Sequence, residues 1–173
     1  MFRFLTAGES HGKAISAIIE GLPAGVPISA EFINRHLSRR MKGYGRGGRM
    51  LIETDTVEIL SGVRHGLSMG SPISLVVRNA DNPNWTAIMD ERPVDEDIKK
   101  ITRLRPGHAD MAGVIKFGFD DVRPVLERSS ARETVTRTAV AAVCRCLLEE
   151  FGIGVRSHVV RIGPVAIGEL DLP

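Results

Sequence analysis

The sequence predicts an α+β domain, and three observations predict it. Two long stretches carry apolar residues at helical spacing, Ala30 to Arg40 and Ala131 to Phe151. Between and before them lie short runs rich in β-branched residues, of which Ile73 to Val77 is the most compact. The strand-like and helix-like runs do not alternate regularly, as a parallel βαβ array would require. The 173 residues suffice for one domain with a real core, and 43% hydrophobic with 25% charged residues is ordinary for a globular chain.

Phe2 to Thr6 reads as a strand running into Ala7-Gly8-Glu9-Ser10-His11-Gly12, a glycine-bounded polar turn. Such a turn holds reactive side chains on a rigid scaffold and lets the backbone approach a ligand. Ser10 beside His11 is not a hydrolase nucleophile, because the strand-turn-helix elbow is missing. Ser16 to Ile19 continues as a strand or buried segment and stops at the turn cluster Gly21 to Gly25. Ser29 caps a helix from Ala30 to about Arg40, with Ile33, Leu37 and Met41 on one face. From Arg39 to Arg49 follow four glycines and five cations, a loop suited to wrapping an anion. Its spacing matches neither the phosphate-binding loop nor the dinucleotide fingerprint. A phosphorylated small molecule and an Arg-Gly nucleic-acid contact both fit this loop; the single Tyr44 favours the former.

Met50 to Val63 is expected to form a hairpin around Thr54-Asp55-Thr56. Ile73 to Val77 is an apolar strand, Asn79 to Asn84 a turn held down by Trp85, and Pro93 to Ile101 a charged, helix-like segment. In Arg105-Pro106-Gly107-His108-Ala109-Asp110, proline and glycine fix a turn presenting His108 between a cation and a carboxylate, an arrangement suited to acid–base work. Next, Arg128-Ser129-Ser130-Ala131-Arg132-Glu133-Thr134 reads as a helix mouth, with Ser130 and Glu133 at capping-box spacing. Val135, Ala139, Val143 and Leu147 form the stripe behind it, and Gly152 ends it. Arg128 and Arg132 oppose the dipole at that helix mouth by about 0.3–1 kcal/mol each unless an anion is present. The mouth is therefore expected to seat a phosphate or carboxylate. Beyond it, Val155, Val159, Val160, Ile162 and Val165 suggest one or two strands.

Charge narrows the function classes. The net charge of +2 does not by itself call for nucleic acid. Of the 23 basic residues, 18 are arginine, whose planar fork matches phosphate and carboxylate. Cys144 and Cys146, two apart on one helix, face different ways and cannot pair, which fits a reducing compartment. His11 and His108 lack partners at metal-ligand spacing, so no metal site is expected. The start has no signal-peptide pattern and no apolar run reaches membrane-spanning length, so a cytoplasmic protein without a membrane partner is expected.

Taken in order, five segments resemble those of the chorismate synthases: Gly8-Glu9-Ser10-His11-Gly12; Gly45-Arg46-Gly47-Gly48-Arg49-Met50 with Ile52-Glu53 and Asp55; Ser61-Gly62-Val63-Arg64; Arg105 to Asp110; and Leu126 to Thr134. The resemblance spans nearly the whole chain; Lys13 departs from the proline expected after Gly12. It implies a β-α-β sandwich, here only its N-terminal portion, either as part of a chain roughly twice as long or as a truncated relative. It also implies anti 1,4-elimination of phosphate from 5-enolpyruvylshikimate 3-phosphate, with reduced FMN required and no net redox change. NADPH is a candidate reductant of that flavin. A homotetramer acting on a phosphorylated small molecule, without nucleic acid, is implied as well. By motif, His11 would protonate the departing phosphate, and His108 would protonate or hydrogen-bond the reduced flavin. Arg128, Ser129 and Ser130, with Arg40 and Arg46, would contact the flavin; Ser10, Arg49, Arg105 and Arg132 would contact the substrate. The family's later Arg-Ser-Asp-Pro motif, whose carboxylate is linked to ring deprotonation, does not occur here.

Overall fold

The computed structural model describes residues 1–42, 48, 52–93 and 98–168. Its frame is a four-stranded antiparallel sheet in the order β1-β2-β7-β4: β1 (Arg3–Gly8), β2 (Ala14–Glu20), β7 (Ile73–Arg78) and β4 (Val57–Ser61). Strict alternation fixes the register. Ile15, Ala17 and Ile19 of β2 stand opposite Val77, Leu75 and Ile73 of β7, and all six are buried. Their neighbours turn to the other face, where Leu5 and Ile18, paired across β1 and β2, are 76% and 51% exposed. β1 ends at Gly8, whose φ of +110° is open only to glycine; a Cβ there would sit 2.4 Å from the Ala14 carbonyl oxygen.

Two helices cover the buried face, α1 (Ala30–Met41) and α4 (Thr134–Glu149). α1 starts as its sequence predicts: the Ser29 hydroxyl accepts from the Phe32 amide at 3.0 Å. Ile33 and Leu37 from α1 meet Val135, Ala139, Val140 and Val143 from α4 in one apolar cluster with the inward residues of β2 and β7. α4 begins one turn later than expected, because Ala131–Glu133 forms a 3-10 turn ahead of it. Gly152, with a φ of +68°, follows its last turn, as the sequence suggests.

Two expectations are corrected. Thr54-Asp55-Thr56 is no hairpin turn: residues 53–56 form neither turn nor strand, and Glu53 and Asp55 are buried at 2% and 5% exposure. The hairpin lies later, between β5 (Val63–Arg64) and β6 (Leu67–Met69), where His65 and Gly66 both take positive φ and β6 also pairs with β3 (Ala24–Pro27). Residues 98–101 are not helical, and residues 94–97 of that stretch lie outside the described residues. Two short helices went unforeseen, α2 (Asp110–Phe117) and α3 (Arg123–Arg128), joined by a turn in which Gly118 adopts the left-handed conformation. The chain then leaves the core in an exposed two-stranded hairpin, β8 (Arg161–Ile162) and β9 (Val165–Ala166).

Leu37 is fully buried in the cluster that joins the helices to the sheet. Leu37→Ala is expected to cost about 2–5 kcal/mol, read by urea unfolding; a loss below about 1 kcal/mol would show that α1 is not seated as described.

Candidate active site

The site is built around the turn at residues 9–12 between β1 and β2, and three asparagine and glutamate side chains hold it. Asn79, at the end of β7, donates through its side-chain amide to the carbonyls of Glu9 at 3.0 Å and Gly12 at 2.7 Å. Asn82 donates to the carbonyl of His11 at 2.9 Å. Glu127 of α3 accepts from the His11 amide at 2.9 Å, while its own carbonyl accepts from the Ser10 amide at 3.0 Å. The carboxylate of Glu127 also lies 2.9–3.0 Å from His11 Nδ1 and is 3% exposed at residue level. The imidazole of His11 stacks on Trp85 with ring centroids 3.8 Å apart, and Arg123 lies over the other partner of that stack, 5.4 Å from the Trp85 centroid. Trp85 was expected only to pack its own loop; its indole N–H does bond Asp81 at 3.1 Å, but its ring is the bed for His11.

The helix mouth at Ser130 differs from the open anion seat that its sequence suggests. The Ser130 hydroxyl accepts from the Arg132 amide at 3.2 Å and from Ser10 at 2.9 Å, so Ser10, 3% exposed, is turned inward. Glu133 does not close the capping box: it accepts from Thr6 at 2.6 Å and pairs with Arg128 at 2.5 Å. Arg128 also reaches the Thr6 carbonyl at 2.9 Å. Arg132 is 5% exposed; its guanidinium donates to Asn79 at 2.7 Å, Asp55 at 2.5 Å, Glu53 at 3.3 Å and the Arg78 carbonyl at 3.2 Å. Arg40 bonds the other oxygen of Asp55 at 3.1 Å, Thr134 at 2.8 Å and the Ala131 carbonyl at 3.2 Å. The anions that the two helix-mouth arginines demand are thus carboxylates of the chain itself, brought from positions 53 and 55 and from 133. Ser129 spends its hydroxyl on the Val125 carbonyl. Arg46 and Arg49 lie outside the described residues.

His108 sits in a second constellation. Arg105 makes a fork to Asp110, at 3.0 Å through Nε and 2.8 Å through Nη2, and Nη2 also lies 3.0 Å from His108 Nδ1. These hydrogen bonds hold the Asp110 carboxyl well below the usual carboxylate range, at about 2. Between α2 and α3 lies an apolar cleft of about 280 Å³ lined by Ala109, Gly113, Phe117, Phe119 and Val125, with Lys116, Arg128 and Ser129 on its walls. α3 therefore serves both places: Glu127 faces His11, while Val125, Arg128 and Ser129 face the cleft that begins next to His108. Among the described residues no group of three or more His, Cys, Asp or Glu side chains is placed to hold a metal ion, and no helix is long and apolar enough to cross a membrane.

Comparison with known proteins decides the family. The family model described as chorismate synthase matches residues 2–171. The chain belongs to the chorismate synthase family. The chorismate synthase of Alkaliphilus metalliredigens is 57% identical over 169 residues, 98% of this chain but 44% of that protein. That of a Sulfurihydrogenibium species is 58% identical over 172 residues, 99% of this chain and 44% of its own. A solved structure described as a crystal structure of chorismate synthase superposes with a TM-score of 0.72 at 46% identity, covering 96% of this chain and 40% of that one. The chain spans less than half the length of the relatives it matches, and its sheet and helix layer form the N-terminal portion of the chorismate synthase fold.

Sequence reasoning missed the residues that anchor rather than display: Glu127, Trp85, Asn79 and Asn82. Glu127 stood inside a recognised motif, but nothing in one dimension pairs it with His11, 116 positions away. Two outcomes check this geometry. Arg132→Met removes the guanidinium that pairs with both buried carboxylates, Glu53 and Asp55, and is expected to cost about 3–5 kcal/mol in urea unfolding, whereas Arg137→Met, on a side chain 62% exposed, is expected to change stability by about 0.5 kcal/mol or less. The Asp110 carboxyl is depressed on folding, so its stabilising contribution is present above the ordinary aspartate range and is lost as pH falls toward about 2. Carboxyl carbon NMR is expected to show Asp110 titrating near about 2, and Arg105→Leu is expected to raise that midpoint; an unmoved midpoint would refute the fork.

Proposed function

We propose that this chain forms the N-terminal part of a chorismate synthase, a carbon–oxygen lyase that eliminates phosphate from 5-enolpyruvylshikimate 3-phosphate with reduced FMN. The observation that carries the reading is a single helix, α3, serving two histidine neighbourhoods in a member of this family: His11 on Glu127 on one side, and the cleft beginning at His108 on the other. His11 lies on a rigid turn with its ring stacked and one nitrogen held by a carboxylate, which suits it to give a proton to the departing phosphate. The ring hydrogen that leaves with phosphate is assigned to no residue of this chain.

The cleft between α2 and α3 fits one face of a flat aromatic ring. Its walls are apolar, Phe117 and Phe119 lie at 5.5 Å centroid separation, and Lys116 brings positive charge for a phosphate beside the Arg128–Glu133 pair. Reduced FMN, when bound, supplies electron density to an elimination without net redox change. Arg128, Ser129 and Ser130 would hold it, with Arg40 and Arg46 contributing charge nearby, while His108 would donate a hydrogen bond to it. Ser10, Arg49, Arg105 and Arg132 follow the family pattern for the substrate side; Ser10 and Arg132 would act from beneath, by shaping the floor of the turn, since both are buried. NADPH as the source of reduced flavin, a homotetramer and a cytoplasmic location complete the reading.

The test replaces the matching segment of the Alkaliphilus enzyme with this chain and assays chorismate formation anaerobically with reduced FMN. Chorismate is expected, with His11→Ala lowering turnover by about 10²–10⁴. His108→Ala is expected to lower turnover more than it weakens substrate binding. A folded chimera that forms no chorismate would refute the proposal.

A further inference from the structure

The two histidines are held by partners of opposite charge, and in both cases the held atom is Nδ1. His11 Nδ1 lies 2.9–3.0 Å from both carboxylate oxygens of Glu127, a group that, as the carboxylate anion, only accepts. His108 Nδ1 lies 3.0 Å from Nη2 of Arg105, a group that only donates. The chemistry of each partner leaves one assignment: Nδ1 of His11 carries a proton, and Nδ1 of His108 accepts one. We propose that Glu127 and Arg105 are positioning residues that fix His11 and His108 in opposite tautomers, so that Nε2 of His11 is a proton-exchanging atom and Nε2–H of His108 is a fixed donor.

The surroundings reinforce each assignment. Glu127 is 3% exposed, and it also accepts from the His11 amide at 2.9 Å and lies 3.4 Å from Arg123, so the carboxylate is held in place whatever the state of the ring. Stacking on Trp85 fixes the plane of His11 and leaves rotation about that plane to Glu127. Among the described residues, the charged groups facing His11 are Glu127 and Arg123 from α3, and those facing His108 are Arg105 and Asp110. Asp110 lies 3.4 Å from the same Nδ1, farther than Arg105, and its oxygens are already engaged by the Arg105 fork.

The consequence rests on the proposed lyase reading. When His11 carries both protons, the Nδ1 proton stays on the bond to Glu127 and only the Nε2 proton is deliverable. In that transfer the Nε2–H bond breaks, an O–H bond forms on the departing phosphate, and the ring remains as the neutral Nδ1–H form without reorienting. His108 undergoes no such cycle: its Nε2–H donates a hydrogen bond and keeps its proton. A carboxylate and a guanidinium thereby divide two chemically identical rings into an acid and a fixed donor.

Long-range proton–nitrogen NMR of the imidazole-labelled 173-residue chain, at alkaline pH where ordinary histidines are neutral, reads both tautomers in one spectrum. In the parent chain, His11 is expected to show a protonated Nδ1 and His108 a protonated Nε2, each by about tenfold or more over the other form. Glu127→Leu is expected to abolish the His11 preference for Nδ1–H while leaving His108 unmoved. Arg105→Leu is expected to switch His108 to Nδ1–H, facing Asp110, while leaving His11 unmoved. The backbone amide spectrum reports folding of each variant, and the parent spectrum tests the proposal with no variant at all. Both rings in the same tautomer in the parent, or a folded Glu127→Leu chain with His11 unchanged, overturns the assignment. A chimera without chorismate formation would overturn the lyase reading alone, because the tautomer spectrum does not depend on turnover.

Discussion

The buried guanidinium of Arg132 is the contact on which the rest of the site depends. It stands where α4 begins, and it draws in four groups from two parts of the chain: the Glu53 and Asp55 carboxylates from the segment before β4, and the Arg78 carbonyl and Asn79 side chain from the end of β7. Asp55 passes the connection on to Arg40 at the end of α1. A charge buried this deeply survives only when its donors are nearly all satisfied, so the network tolerates one geometry and not a range of them. Asn79 in turn carries the turn of residues 9–12 on its amide group. The position of His11 therefore follows from a chain of polar contacts that starts under α4.

α3 is the second fixed point. It is only six residues long, yet it links the His11 turn to the cleft beside α2. Its shortness would leave an isolated helix unstable; here Val122 and Val125 are buried and Glu127 bonds outward to the turn. Gly113 of α2 lies so close to Val125 that a Cβ there would meet its methyl groups at 2.6 Å, which sets the separation of the two helices. The cleft and the histidine turn thus have their relative placement written into one packing contact and one carboxylate.

The sheet shows the same division between scaffold and site. Its inward face is the core, and its outward face carries Leu5 and Ile18 in the open. The exposed hairpin β8–β9 lies apart from that core, with Ile162 and Val165 more than 70% exposed. The relatives extend the chain to more than twice this length, and the four-stranded sheet backed by α1 and α4 lies within the part of the chorismate synthase structure that this segment matches.

Local patterns determined much by themselves. Ser29 and the Ile33–Leu37 spacing specified α1, the apolar alternation of Ile73 to Val77 specified the central strand, and the stripe from Val135 to Leu147 specified α4, because each depends on neighbours within a few positions. The motifs around His11, His108 and Ser130 were likewise visible, and their order along the chain was enough to indicate the family. Only the tertiary structure decided what the charged residues in those motifs do. The expected anion seat became an internal ion-pair network because Glu53, Asp55 and Glu133 reach the arginines first. Hairpin placement went to His65-Gly66 and not to Thr54-Asp55-Thr56 for a related reason: the carboxylates at 53 and 55 are buried against the Arg132 guanidinium ahead of α4. Sequence spacing fixes what a residue meets on its own helix or strand, whereas pairing a carboxylate with a histidine 116 positions away requires the folded chain.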